Sequence, residues 1–149
     1  MIVDLLLNGR RTELEAGAGE TLLEALRRDA GLGSVRATCG IGVCGACTVL
    51  LDGDPVSACL LLAPQAAGRE VTTVEGLPPD DPVRRAFAEL RAFQCGYCTP
   101  GMILTASSLL REIATPSDQQ VAEALGGNLC RCGCYPRIAE AVRKAAAIA

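Results

Sequence analysis

Nine cysteines and no histidine set the chemistry open to this 149-residue chain. Without histidine it lacks Ser-His-Asp and Cys-His catalytic sites and any histidine-ligated metal. Cysteine spacing narrows what remains. Cys39, Cys44 and Cys47 form Cys-x4-Cys-x2-Cys, and Cys59 follows. A disulfide scaffold calls for a secreted, usually shorter chain with an even cysteine count. Structural zinc usually shows two Cys-x-x-Cys pairs or mixed Cys/His spacing. The spacing here is instead that of a plant-type [2Fe–2S] site held by thiolates. Gly40, Gly42 and Gly45 lie between these cysteines. They let the backbone bend so that N–H groups face an anionic cluster.

A second set follows. Cys95-Gly-Tyr-Cys98 alone could be a thioredoxin-like dithiol. Joined with Cys130-Arg-Cys132 it makes two close pairs, which argues for a second metal site over a redox dithiol. Cys134 is then surplus and reads as a small buried hydrophobe.

These ligands need elements to position them. Ile2–Leu7 and Arg10–Glu15 read as strands around Asn8-Gly9, a hairpin signal. Thr21-Leu-Leu-Glu24 is a capping-box pattern opening a helix, with Gly31 as its stop. Thr48–Leu51 and Pro55–Leu60 flank Asp52-Gly53, which would place Cys59 on a strand. Val71–Val74 adds a last strand. Hairpin, helix, loop, hairpin and strand suggest an α+β domain of β-grasp type. Gly76–Pro82 is rich in proline and aspartate and marks a boundary, giving domains 1–76 and 77–149.

The second half reads as four short helices. Asp81-Pro82 starts the first, with Val83, Phe87, Leu90 and Phe93 at helical spacing. Thr99-Pro100 starts the second, with Met102, Ile103, Ala106, Leu109, Leu110 and Ile113 on one face. Ser117–Gln120 caps the third, and Pro136 opens the fourth, which carries Ile138 and Val142. Cys95 and Cys98 thus precede one helix, and Cys130 and Cys132 another. Helix N-termini favour an anionic group.

Composition bounds the rest. The chain is 50% hydrophobic with a net charge of −3. This excludes a disordered tail and a basic nucleic-acid binder. No apolar run reaches the ~18 residues that suggest a membrane span. The N-terminus lacks a signal-peptide pattern, so a cytoplasmic location is expected.

Cys39-x4-Cys-x2-Cys-Thr-Val, Gln94-Cys-Gly-Tyr-Cys-Thr-Pro-Gly-Met102 and Gly127-Asn-Leu-Cys-Arg-Cys132 together resemble the small subunit of molybdenum hydroxylases. This is the xanthine dehydrogenase/aldehyde oxidoreductase family, and the resemblance spans nearly the whole chain. It implies a plant-ferredoxin-like β-grasp domain followed by an all-α four-helix bundle, each holding one [2Fe–2S] cluster. It also implies electrons passing from molybdopterin of a large subunit, through both clusters, to FAD of a medium subunit. Those partners are expected as separate chains, in a heterotrimer or dimer of heterotrimers. By the same resemblance, Cys39, Cys44, Cys47 and Cys59 ligate the cluster distal to the pterin. Cys95, Cys98, Cys130 and Cys132 ligate the proximal one. Gln94 and Cys132 match the residues that meet the pterin, and Cys-Thr-Pro-Gly resembles the FAD-partnered branch. The family usually reads Cys-Arg-Cys-Thr-Gly-Tyr, whereas this chain has Cys134 in place of that glycine. The alternative is a free-standing two-cluster ferredoxin. The substrate, the final electron acceptor and the cluster potentials are not encoded in these motifs.

Overall fold

The computed structural model describes residues 1–148. Strands β1 (Ile2–Leu7) and β2 (Arg10–Glu15) pair antiparallel, with Leu7 opposite Arg10. Asn8 and Gly9 take φ of 51° and 77°, the double left-handed geometry of a tight hairpin turn. Helix α1 (Leu22–Arg28) starts as expected, because Thr21 and Glu24 exchange hydrogen bonds in a capping box. Strands β3 (Thr48–Leu51) and β4 (Asp54–Ser57) form the second hairpin. Strand β5 (Glu70–Thr72) completes a mixed sheet of order β2-β1-β5-β3-β4, parallel to β1 and antiparallel to β3. Leu22, Leu23 and Leu26 of α1 join Val3, Leu5, Leu14, Val49 and Val71 of the sheet in one core.

Two strands differ from expectation. The strand expected over Pro55–Leu60 ends at Ser57, so Cys59 lies in a turn and not on a strand. The Ser57 carbonyl accepts from the N–H groups of Leu60 and Leu61, which folds the chain back on itself. The last strand ends at Thr72 rather than Val74. Asn8 accounts for this: its side chain accepts from the Thr73 N–H at 2.8 Å and donates to Thr73 Oγ1 at 2.9 Å. A 3-10 turn over Val74–Gly76 follows.

Four helices make the rest: α2 (Pro82–Glu89), α3 (Thr99–Glu112), α4 (Asp118–Leu125) and α5 (Tyr135–Ile148). Asp81 and Ser117 cap α2 and α4 as their sequences predict. The four share a second core containing Phe87, Met102, Val121, Ile138 and Val142. Phe93 lies beyond the end of α2 and is exposed.

Helix α3 is buried on two sides. Met102, Ile103, Ala106 and Leu109 face the helical core, while Leu104, Thr105, Ser107 and Ser108 are also buried. Its small polar residues face the sheet lobe, with Ser108 Oγ donating to the Gly53 carbonyl at 3.1 Å. Arg111 donates to the same carbonyl. The result is α+β: a mixed sheet with one helix, joined to four further helices. Among the described residues, no helix is long and apolar enough to cross a membrane.

Candidate metal centres

All nine cysteines are free. The first set is built on the loop before β3. Gly40, Gly42 and Gly45 take φ of 67°, 73° and 68°, so the loop folds inward around its sulfurs. The N–H groups of Ile41, Cys44 and Val43 converge on Cys39, and with the Cys44 thiol they hold its pKa down to about 6. Cys47 and Cys59 form the other pair of this set. Burial pushes Cys47 up to about 11, although the Cys59 N–H acts the other way. The turn that displaced Cys59 from its expected strand is what brings it to Cys47.

The second set comes from two distant segments. Cys95 and Cys98 flank a turn at Gly96, and Cys98 is the N-cap position of α3. Cys130 and Cys132 precede α5. Cys98 and Cys130 are hydrogen-bonded thiol partners, and burial followed by that contact pushes Cys98 up to about 12. Burial opposes the Cys130 thiolate, but the Cys134 N–H and the Cys98 thiol outweigh it and lower its pKa. That Cys134 N–H lies 3.4 Å from Cys130 Sγ. The Cys130 N–H donates to the Tyr135 hydroxyl at 2.8 Å. Gln94 is exposed, and its amide donates to the Cys132 carbonyl at 3.4 Å. The two residues expected to meet a pterin therefore touch each other on one ledge.

Among the described residues, no three cysteine or acidic side chains close around a single ion. Thiol contacts instead join Cys39 to Cys44 and Cys47 to Cys59, and join Cys130 to both Cys98 and Cys134. A [2Fe–2S] unit takes two protein ligands on each of two irons, so pairing suits it better than a one-ion cage. The donors fit as well. A metal ligand must be a thiolate, and the N–H groups around Cys39 and Cys130 favour that form.

The two sets are joined through the backbone. The Leu129 N–H, next to Cys130, donates to the Cys44 carbonyl at 2.9 Å. Beside it, the buried Asn128 side chain donates to Gly45 O at 3.1 Å and accepts from Thr105 Oγ1 at 3.0 Å. A methyl at Gly45 would lie 2.6 Å from Asn128 Nδ2, and one at Gly101 would overlap Gly45 O. The sequence motifs did not single out Asn128, Gly101 or Tyr135. Asn128 had one available signal, its place inside the Gly127–Cys132 motif.

Comparison with known proteins agrees with this geometry. Residues 5–73 match the 2Fe-2S iron-sulfur cluster binding domain family, and residues 73–143 match the [2Fe-2S] binding domain family. The chain is 46% identical over 146 residues to the nicotinate dehydrogenase small FeS subunit of Eubacterium barkeri, covering 96% of this chain and 93% of that one. The chain belongs to the small [2Fe–2S] subunits of the molybdenum hydroxylase family. It therefore binds two [2Fe–2S] clusters. The structure of quinoline 2-oxidoreductase from Pseudomonas putida 86 superposes with a TM-score of 0.94 at 40% identity, covering 99% of this chain and 94% of that one. Aldehyde oxidoreductase from Desulfovibrio desulfuricans ATCC 27774 superposes at 0.93 and 40% identity, but this chain spans only 17% of that one.

Proposed function

We propose that this chain is the electron-transfer subunit of a heteromeric molybdenum hydroxylase, carrying electrons from molybdopterin in a large subunit to FAD in a medium subunit. When bound, each [2Fe–2S] centre supplies reversible one-electron uptake at a low potential. Cys39, Cys44, Cys47 and Cys59 hold the distal centre. Cys95, Cys98, Cys130 and Cys132 hold the proximal one. The single observation that carries this reading is the likeness along nearly the whole chain to small FeS subunits, and the Leu129–Cys44 hydrogen bond adds that the two sets adjoin within the chain.

The chain's own groups have separate tasks. The N–H groups of Ile41, Cys44, Val43 and Cys134 stabilise sulfur charge without adding a titrating group. Gln94, tied to Cys132, offers an uncharged amide to a pterin edge. The finer fold reading is a β-grasp ferredoxin-like domain over 1–76 and a four-helix bundle over 77–149. The sheet order and the core shared by α2–α5 support it.

Purification of the tagged chain from its native host tests the reading. About four irons and four sulfides per chain are expected, together with molybdenum- and flavin-containing partner chains. Recovery of the iron-loaded chain alone would overturn it in favour of a free-standing carrier. Stoichiometric zinc would overturn both.

A further inference from the structure

Tyr97 lies between Cys95 and Cys98, yet its side chain is engaged with the other lobe. Its hydroxyl donates to the Ala37 carbonyl at 3.1 Å and accepts from Thr38 Oγ1 at 3.3 Å. The Arg36 guanidinium stands over the ring, 5.2 Å from its centroid, at a distance where a cation is attracted to an aromatic face. Arg36 Nε is buried without a hydrogen-bond partner among the described residues, which leaves the ring as a neighbour for that face. The gripped segment is itself anchored to the first sulfur loop. The Arg36 N–H donates to the Ala46 carbonyl at 3.2 Å, and Thr38 adjoins Cys39. One aromatic side chain thus joins the turn carrying Cys95 and Cys98 to the loop carrying Cys39, Cys44 and Cys47.

Its position relative to the Leu129–Cys44 bond gives this contact a purpose. Tyr97 and Leu129 both line a cavity of about 410 Å3, together with Cys44, Cys95, Cys98 and Cys130. Tyr97 and Leu129 are thus the contacts of the junction that border the space between the sulfur sets, whereas Ser108 and Arg111 meet Gly53 ten or more residues along α3 from Cys98. Among these contacts Tyr97 is the one that reaches residues 36–38, so it restrains the edge of the junction beside the first sulfur loop. Tyr97 itself makes a long detour as a covalent path, because it runs through a whole ring and two side chains. The backbone bond at Leu129 is the shorter connection.

We propose that Tyr97 is a positioning residue that fixes the separation of the two clusters through its hydroxyl contacts with Ala37 and Thr38, and is not an electron conduit. The inference rests on the two-cluster reading above. Electron exchange between centres falls steeply with separation, so a small local shift at this edge of the junction would be felt as a slower and more variable transfer.

Tyr97→Phe keeps the ring and its Arg36 contact and removes only the hydroxyl. Thr38→Val removes the Thr38 half of the contact from the other lobe, and Thr38→Ser restores it. The native complex carrying each variant would be fully reduced, and the magnetic splitting between its two clusters read by low-temperature EPR. Hydrogen exchange of the peptide containing Leu129 would be followed in parallel. Tyr97→Phe is expected to retain two iron–sulfur species, to change their splitting, and to raise exchange at Leu129 roughly five- to tenfold, as loss of one hydrogen bond implies. Thr38→Val should show the same changes to a smaller degree, and Thr38→Ser the parental values. Unchanged splitting and exchange in both Tyr97→Phe and Thr38→Val would overturn the proposal, even if the melting temperature falls. If Tyr97→Phe fails to assemble clusters, Thr38→Val alone decides. Absence of two clusters in the parent would instead sink the functional reading.

Discussion

The two sulfur sets solve one problem in opposite ways. The first draws three cysteines from nine consecutive residues, Cys39–Cys47, and surrounds them with backbone N–H groups of the same loop. Its exposed surroundings are aliphatic: Ile41, Val43 and Leu60. The second takes its cysteines from two segments, before α3 and before α5, that meet only when the helices pack. Its exposed surroundings are Phe93, Tyr97, Leu129 and Tyr135. A local loop can organise its ligands with little help from the core, whereas a split site depends on tertiary packing. The two centres should therefore differ in robustness as well as in position.

The largest effects come from the ligands. Cys98→Ser should abolish the proximal EPR signal and leave the distal one, and Cys47→Ser should do the reverse. Loss of both signals in either variant would show that the sets assemble as one unit. Next comes packing. Phe87 is 1% exposed in the helical core, and Phe87→Ala should cost about 3–5 kcal/mol. In a urea series followed by iron release and EPR, that variant should lose the proximal signal at lower urea than the distal one. Coincident loss would remove the contrast between a local and a split site.

Smaller effects test the outer contacts. Gln94→Ala should leave both clusters in place and slow their reduction by substrate in stopped-flow experiments, by an amount equivalent to about 1–3 kcal/mol. Cys134→Ala should keep both signals, because the Cys134 backbone N–H that reaches Cys130 survives the change. A modest shift in the proximal signal is expected, and its disappearance would reassign a ligand. The smallest effect concerns pH. Burial acts to raise the Glu75 pKa, but hydrogen bonds from Ser34 and Thr73 prevail and lower it below 4.5. Its contribution to stability is then full above 4.5 and is lost as pH falls through the lowered folded value. Melting curves over that acidic range should show a steeper loss for the parent than for Glu75→Gln.

Most of this architecture was readable from residue spacing. Turn pairs Asn8-Gly9 and Asp52-Gly53 and the caps at Thr21, Asp81 and Ser117 follow from local chemistry, and the structure has them where local rules put them, whereas α3 takes Cys98 and not Thr99 as its N-cap and α5 begins at Tyr135, one residue before Pro136. What local rules missed was set by distant partners. The last strand stops early because Asn8, far away in sequence, takes the hydrogen bonds of Thr73. The sheet-facing side of α3 carries Thr105, Ser107 and Ser108, which look like a solvated face until the other lobe covers them. Asn128 and Tyr97 are polar residues within motifs, and nothing in their spacing shows that they reach across to Gly45 and Thr38. Both sulfur sets were readable as groups, but the pairing within each depends on how the turn at Cys59 and the helix ends meet.

The contact of Gly45, Gly101 and Gly127 with Asn128 has a consequence for building hybrids of related subunits. Gly45 meets the Gly127 carbonyl and Gly101 meets the Gly45 carbonyl there, and the Asn128 side chain is held between them by hydrogen bonds, so little can shift to absorb a mismatch. A graft that took the sheet from one relative and the helices from another would have to match this strip almost atom for atom. It could tolerate wide differences elsewhere along the junction, such as at the exposed end of Arg111. Exchanges that break at Leu77–Asp80 but bring residues 101 and 126–129 together with residues 45–48 from a single parent should yield working chimaeras more often than exchanges that divide the strip.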